Sequence, residues 1–588
     1  MNRRRFLGMA AGAAAAVPLL SSCGRFSQDG PRRIIVMAVD GMDPGMVERL
    51  AGDGRLPNLR ALSSTGGFSR LATTLPPQSP VAWSSFITGK GPEVHGIFDF
   101  VHRNPSDRSA YLSTSVVEPG GRSVDVGRWR IPLGGAHPRL LRQGTPFWKP
   151  LTDAGIPVSL MNLPVDFPPD SAHGARVLTG LGTPDITGSQ GSFSFYTDDP
   201  MQISDDTGGG TVTAVRDDGT GTYDFRIYGP RNTFLEGAPQ AGVEASLTVD
   251  RAAGGALIEV SGETIVLAAG EWSRWVRIRF DLVPGIASVV AIGRFCLCSV
   301  EPFLELYLSP LQMDPVDPAM PISSPGWLSR DLAMELGTFS TKGFPEDTKA
   351  LSRGVLSDAE YIDQALLVLE EQERLFRHGL NGFREGLAFH YFTSLDLNMH
   401  VFYRAMDFLS PAPRVSGGAA GFIPYLYDRI DSLVGEAMEL LDRRTDLVVI
   451  SDHGFAPFRR QFDLNTWLAA SGYMSRDRRT PSTALFEGVD WNGTAAYGLG
   501  INSLYLNLRG REQDGSVDPP EAAALLAGLK ADLESVTDPL TGRRVVSCAH
   551  IVVEEMPGPL PAHAPDIIVG YAPGYRSSWA TALGGFGS

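Results

Sequence analysis

Three shortages in this sequence each remove a class of explanation. Cysteine occurs only four times in 588 residues, and no Cys-x-x-Cys pair is present. A disulfide-framed scaffold and a thiolate zinc module of the usual spacing are therefore not expected. Cys296 and Cys298 alternate in the strand-like run Arg294-Phe295-Cys296-Leu297-Cys298, so both point to one face. A disulfide from Cys548 to one of them is left open, with nothing in the spacing to support it. Basic charge is scarce as well: 51 Lys and Arg stand against 66 Asp and Glu, for a net charge of −15. Without a broad basic surface, nucleic-acid binding is not expected, and a small phosphorylated ligand would need metals or a few arginines. Finally, the alanine-rich apolar run at residues 9–20 is too short to span a bilayer as a mature helix.

That run belongs to an address label. Asn2-Arg3-Arg4-Arg5-Phe6-Leu7-Gly8 is a basic segment with a twin-arginine pattern, and the stretch closes on Leu20-Ser21-Ser22-Cys23, which resembles a bacterial lipobox. Residues 1–23 read as a twin-arginine signal with lipidation at Cys23, and a plain cleaved signal is the alternative. Both readings export the mature protein, to the periplasm or cell surface; the first leaves it anchored to the membrane. Polar residues 24–33 then serve as a tether.

Residues 34–39 form a continuous apolar run, as in a parallel strand buried on both faces, and the run stops at Asp40-Gly41. Comparable runs occupy residues 157–161, 387–393 and 446–450. Helical spacing separates them, as in Leu426, Ile430, Leu433, Ala437, Met438 and Leu441. This alternation predicts an α/β sandwich with a mostly parallel sheet, whose ligand site lies beyond the carboxyl ends of the strands. Residues 185–315 read differently, with short alternating runs rich in Gly, Thr and Asp that predict a β-rich insertion. The catalytic unit is then 34–184 together with 316–588, in line with the length of the chain.

Five candidate metal ligands share one positional habit. Asp40 follows the first strand, Asp396 and His400 follow the third, and Asp452 and His453 follow the fourth. Carboxylates and imidazoles gathered on one rim suit Zn²⁺ or Mn²⁺. Taken singly, each has an ordinary reading as a helix cap or turn residue.

A further block reads Thr74-Leu75-Pro76-Pro77-Gln78-Ser79-Pro80-Val81-Ala82-Trp83-Ser84-Ser85-Phe86-Ile87-Thr88-Gly89 and continues to Pro92 and His95-Gly96-Ile97. Together with Val39-Asp40-Gly41, Asp396-x-x-x-His400 and Ser451-Asp452-His453-Gly454, it resembles the type I phosphodiesterase/nucleotide pyrophosphatase branch of the alkaline phosphatase superfamily. The resemblance implies an alkaline phosphatase-like α/β/α fold and a metal-dependent hydrolase of small phosphate esters. It makes Ser79 the nucleophile, through a phospho-serine. It also implies two divalent ions, one held by Asp40, Ser79, Asp452 and His453, the other by Asp396 and His400. A metal favours the serine alkoxide, and a pair of metals can hold the attacking and leaving oxygens.

Two positions depart from the pattern. Ala82 stands where the pyrophosphatases usually carry an asparagine that donates to a phosphoryl oxygen. The pattern also calls for a third histidine on the Asp396/His400 metal near the C-terminus, and the sequence reaches Gly585-Phe586-Gly587-Ser588 without one. The expectation is a truncation just before it, with His563 as a fallback ligand.

Several other residues carry expectations. Lys90 and Trp83 are candidate substrate contacts, with helix packing the ordinary role for Trp83. Arg103 is a further basic candidate. His95 reads as a structural hydrogen-bonding residue and His390 as a satisfied core histidine. A sulfatase is disfavoured, because Ser79-Pro80-Val81-Ala82-Trp83 lacks the Pro and Arg of the C/S-x-P-x-R context. Two alternatives stay open: a phosphomonoesterase of the same fold, and a non-catalytic surface lipoprotein that binds phosphorylated glycans. Oligomeric state is not legible.

Overall fold

The computed structural model describes residues 32–587, except 119, 122, 128, 133, 135, 136, 172, 173, 204–208, 413–416, 478, 481–483 and 557. The signal at 1–23, lipidation at Cys23 and most of the 24–33 tether lie outside the described residues.

A six-stranded sheet carries the architecture. In chain order its strands are β1 (Arg33–Val39), β2 (Val158–Leu163), β3 (Arg176–Thr179), β4 (Ser323–Ser324), β5 (Gly386–Phe392) and β6 (Thr445–Ile450). In space they run β4-β3-β2-β5-β1-β6. Every pairing is parallel except that of β4 with β3. Four helices matter for the site: α1 (Ser79–Thr88), α2 (Asp358–Gly382), α3 (Ser394–Phe402) and α4 (Phe422–Met438).

The unbroken apolar run of β1 follows from its central place. Ile35, Met37 and Val39 pack with Leu369 and Phe376 of α2 and with Leu426, Ile430 and Leu433 of α4. Val36 and Ala38 face the other way, against Trp83 and Ile87 of α1 and Trp148. Both faces are covered, as a parallel sheet requires. Leu441 lies past the end of α4 at Met438, so the last residue of the helical pattern belongs to the turn into β6.

Register turns this layering into a site. Val39 lies beside Phe392 and Ala38 beside Ile450. Three neighbouring strands therefore leave the sheet at one level, and the residues just after them meet.

The family of strands between β3 and β4 forms three further sheets. Thr222–Arg231, Gln240–Asp250, Gly255–Val260 and Glu263–Ala268 make an antiparallel meander, and Val276–Val283 pairs with Ala287–Gly293. Their side chains share one core that includes Ile227, Ile258, Ile278 and Phe280. Nearer the C-terminus lies a further sheet. Ala496–Gly498, Ser503–Leu506, Ile567–Tyr571 and Val546–Ile551 form an antiparallel sheet with its own core. Cys548 lies on that sheet, and Cys296, Cys298 and Cys548 are all free thiols, so the disulfide left open above does not form.

Candidate active site

The turn after β1 begins with Asp40-Gly41. Gly41 has φ +67°, and a Cβ there would come within 2.8 Å of Asp396 Oδ1. Only glycine lets the two chain ends approach this closely. Its N–H donates to Asp452 Oδ1 at 3.2 Å, which links the turn after β1 to the loop after β6. Two residues on, Asp43 caps the next helix through Met46 N at 2.8 Å and also accepts from Phe455 N at 3.1 Å. The rim is thus cross-tied by its own backbone.

Ser79 opens α1 and is 5% exposed. Its Oγ donates to Asp40 Oδ1 at 3.3 Å and lies 3.1 Å from His453 Nε2. His453 Nδ1 lies 2.9 Å from Gly454 O, which can only accept. Nδ1 therefore carries a proton and Nε2 faces the cluster. Around that nitrogen stand Asp452 Oδ2 at 3.3 Å, Asp40 Oδ1 at 3.6 Å and Asp396 Oδ1 at 3.9 Å. His400, one turn along α3 from Asp396, brings Nε2 to 3.6 Å from Asp396 Oδ2. All six residues, separated by up to 413 positions in the chain, converge on one rim.

Their electrostatics are strained. Burial and then the neighbouring Asp452 push the Asp40 carboxyl up to about 8, although Tyr391 donates a hydrogen bond to its Oδ2. Burial likewise raises Asp396 and Asp452. Burial would lower His453, but Asp452, Asp396 and Asp40 outweigh it and raise the imidazole to about 9. Asp396 Oδ1 and Asp452 Oδ2 are buried without a hydrogen-bond partner. Crowded carboxylates with unpaired oxygens are costly unless a cation satisfies them. Ligand atoms of Asp40, Asp396 and His453 lie within 4.8 Å of one another, a donor set that fits a divalent ion such as Zn²⁺ or Mn²⁺.

Several sequence candidates lie elsewhere. Trp83 is 1% exposed, with its ring edge-on to Tyr391 at 5.3 Å and Phe86 at 5.8 Å. It is a core residue with no free face for a substrate. Lys90 is exposed beyond Gly89 at the far end of α1, about 16 Å of helix from Ser79. Arg103 is buried on Glu512 at 2.6 Å and on Tyr497 OH at 2.7 Å, so it holds structure rather than phosphate. His563 Nε2 is engaged with Gly96 O at 2.9 Å and its ring stacks on His102, which removes it as a fallback ligand. His95 lies 3.0 Å from Ser85 Oγ and accepts from Ile97 N. His390 is buried against Phe376 and Phe392, yet its Nε2 has no partner, so the expected satisfaction is incomplete.

Other residues were silent in the sequence. Gln78, just before the serine, donates to Asn502 Oδ1 at 2.6 Å and accepts from Phe100 N at 3.3 Å. Asp99 accepts from Ile501 N, Asn502 N and Ser503 Oγ. These bonds pin the serine loop to the C-terminal sheet. Arg576 is the more consequential find. Its guanidinium lies 4.2 Å from the Phe458 ring and 4.9 Å from the Trp579 ring, and Nε is buried without a partner. Among the described residues no carboxylate pairs with it. After burial, its charge also helps to lower the pKa of His400. No spacing rule marks an arginine seated between a ring from a distant strand and one from a short helix.

A parallel α/β sheet with this rim at its strand ends belongs to a hydrolase of phosphoester bonds. The chain belongs to the type I phosphodiesterase / nucleotide pyrophosphatase family, whose sequence profile matches residues 34–209 and 324–580. The unmatched stretch between them holds most of the added β-sheets. No curated protein matches the chain. Among solved structures, it is similar to phosphonoacetate hydrolase from Sinorhizobium meliloti 1021, in complexes with phosphonoformate and with phosphonoacetate. Both share 14% identity and cover 93% of this chain and 83% of theirs, with TM-scores of 0.39 and 0.41.

Proposed function

We propose that the protein is an exported, metal-dependent phosphodiesterase in which Ser79 is the nucleophile and is transiently phosphorylated. One observation carries this reading. The Ser79 hydroxyl is held at 3.1–3.3 Å by Asp40 and His453, beside carboxylate oxygens that are buried and unpaired. Asp40, Asp452 and His453 would hold one divalent ion with Ser79, and Asp396 and His400 a second. Bound there, the ions would supply Lewis acidity that favours the serine alkoxide and offsets charge on the phosphoryl oxygens.

The chain's own residues do the rest. Asp40 and His453 orient Oγ toward the rim, and at the start of α1 the Ser79 backbone N–H is left for an anionic ester, since Pro80 has none and Val81 and Ala82 donate to Gln78 O. Ser79 Oγ displaces the ester alcohol from phosphorus, and water then cleaves the phospho-serine to restore the hydroxyl. Ala82 brings no donor to the phosphoryl group. Arg576 takes that part, since a guanidinium with no carboxylate partner among the described residues, whose charge reaches His400, is free to pair with a substrate anion. Residues 1–23 would direct export, with Cys23 lipidated and the protein held at the membrane surface. That point is checked by whether Cys23→Ala releases it into the soluble fraction.

The decisive assay is hydrolysis of bis-p-nitrophenyl phosphate, lost on chelation and restored by Zn²⁺ or Mn²⁺. A preference for p-nitrophenyl phosphate would make the enzyme a phosphomonoesterase. Metal occupancy without any turnover would leave a phosphoglycan-binding lipoprotein.

A further inference from the structure

The thiols of Cys296 and Cys298 lie away from the rim, in a sheet that joins the β-rich region to the catalytic unit. Its order is Gly210–Ala214, Phe193–Thr197, Glu305–Leu308, Phe295–Ser299. Phe295, Leu297, Leu306 and Leu308 face the β-rich core. Phe193, Phe195, Cys296 and Tyr307 face the opposite way, into the core shared with α2. Strand alternation sends Cys298 to that second face as well.

In a regular strand, side chains two residues apart stand about 6.6 Å apart along the chain, too far to share one small ion. Here the pairing with Glu305–Leu308 breaks register between Leu297 and Ser299, at Cys298 itself. A bulge re-aims the side chain it carries. As a result the Sγ atoms of Cys296 and Cys298 and a carboxylate oxygen of Glu360 all lie within 4.8 Å of one another.

Glu360 is fixed independently of the thiols. It sits in the first turn of α2, where Oε2 accepts from Ser357 N at 2.7 Å in a capping box. Trp272, bridged to Cys296 across the strand edge, donates Nε1–H to Glu360 O at 3.0 Å. Cys298 Sγ makes weak contacts with the carbonyls of Cys296 at 3.8 Å and Val355 at 3.9 Å, and faces the Cys296 thiol and the Glu360 carboxylate.

We infer that Cys296, Cys298 and Glu360 form a second cation site, for a thiophilic divalent ion such as Zn²⁺, that clips the β-rich region to the start of α2. A tetrahedral Zn²⁺ takes thiolate sulfur at about 2.3 Å and carboxylate oxygen at about 2.0–2.2 Å, so a small inward rotation of the thiols closes the set. Binding releases one proton from each thiol. Two thiolates, one carboxylate and the dication then carry a net charge of −1, with the fourth position open to water. The site is structural, and hydrolysis at the rim does not depend on it.

The test uses the full chain, reduced, with Cys548→Ser so that only these two thiols remain among the described residues. Titration with Co²⁺ is expected to raise a thiolate-to-cobalt charge-transfer band in the near ultraviolet, saturating at one equivalent. The band is lost in Cys298→Ser. Glu360→Gln, which keeps both thiols and can still serve the capping box, shifts the titration to higher Co²⁺. Hydrolysis of bis-p-nitrophenyl phosphate stays unchanged in all of these variants. The rim holds no sulfur, so its own loading is silent in this band. The proposal is overturned by a reduced protein without the band, by a band unchanged in Cys298→Ser, or by a Cys296–Cys298 disulfide mapped before reduction.

Discussion

Two of the buried charged clusters among the described residues are built on opposite plans. Behind the serine loop, Arg103 donates to Glu512 at 2.6 Å, to Tyr497 OH at 2.7 Å and to Ala562 O at 3.1 Å. Arg511 donates to Glu512 at 3.0 Å and to Asp566 at 2.7 Å. Each guanidinium there meets acceptors on every nitrogen. At the rim, three carboxylates, Asp40, Asp396 and Asp452, crowd around one imidazole, so negative charge there outnumbers the cation it faces, whereas two guanidiniums face two carboxylates in the first cluster. A paired network holds a fold together, whereas an excess of unpaired like charge at strand ends is tolerated where a ligand satisfies it. The contrast separates scaffold from site more sharply than burial alone, since both clusters are buried.

The comparison can be broken or sharpened by substitution, beginning with the largest effect. Ser79→Ala should lower the rate of bis-p-nitrophenyl phosphate hydrolysis by about 10³-fold or more while the unfolding midpoint holds. A residual rate within tenfold of the parent would assign the nucleophile elsewhere. In the paired cluster the effect should appear in stability. Arg103→Ala breaks a buried pair, leaves Glu512 with Arg511 as its one cation and should cost about 3 kcal/mol, read as a lower denaturant midpoint; an unchanged midpoint would remove the contrast between the two clusters.

Arg576→Ala should raise KM by about tenfold, as expected for loss of a charged hydrogen bond to substrate, with kcat changed less. An effect on stability alone would return Arg576 to the scaffold. Asp40→Asn bears on the rim's strain. The folded value of Asp40 is raised from 3.8 to about 8, so in the metal-free protein this carboxyl subtracts stability as pH climbs through that window. The amide has no such dependence. Metal-free Asp40→Asn should therefore melt higher than the parent at pH 7 and lose less stability between pH 5 and 8. Equal melting curves would mean the rim is not strained. Smallest of all, Lys90→Ala should leave kcat/KM within about twofold and stability within about 0.5 kcal/mol.

Much of the rim was legible because its residues carry local signals. An apolar run that halts at Asp40-Gly41 marks a buried strand and its end, and the block from Thr74 to Gly89 singles out Ser79 among the serines. What failed were assignments that depend on neighbours. Trp83 shares a helix with Ser79 but points into the core against Tyr391. Lys90 is close to the serine in sequence and a helix-length away in space. His563 precedes a strand near the expected position, yet its nitrogen is taken by Gly96. Of the C-terminal sheet, the apolar run around residues 567–569 reads as a strand, but its pairing with Ser503–Leu506 and Val546–Ile551 joins distant segments and is not written in consecutive residues. The lack of a Cys-x-x-Cys pair likewise says nothing of a Cys-x-Cys whose bulge and third ligand come from other segments.

The sequence by itself determined the class of chemistry, the nucleophile candidate and the parallel sheet. Those follow from short-range pattern, since strands and motif loops are written in consecutive residues. Only tertiary structure decided which charges are paired. Register aligns the ends of β1, β5 and β6, so carboxylates from three chain segments meet around a single imidazole, while Arg103 and Arg511 each find a carboxylate of their own. Electrostatic strain is a property of side chains brought together from distant positions, and no single stretch of the chain contains it.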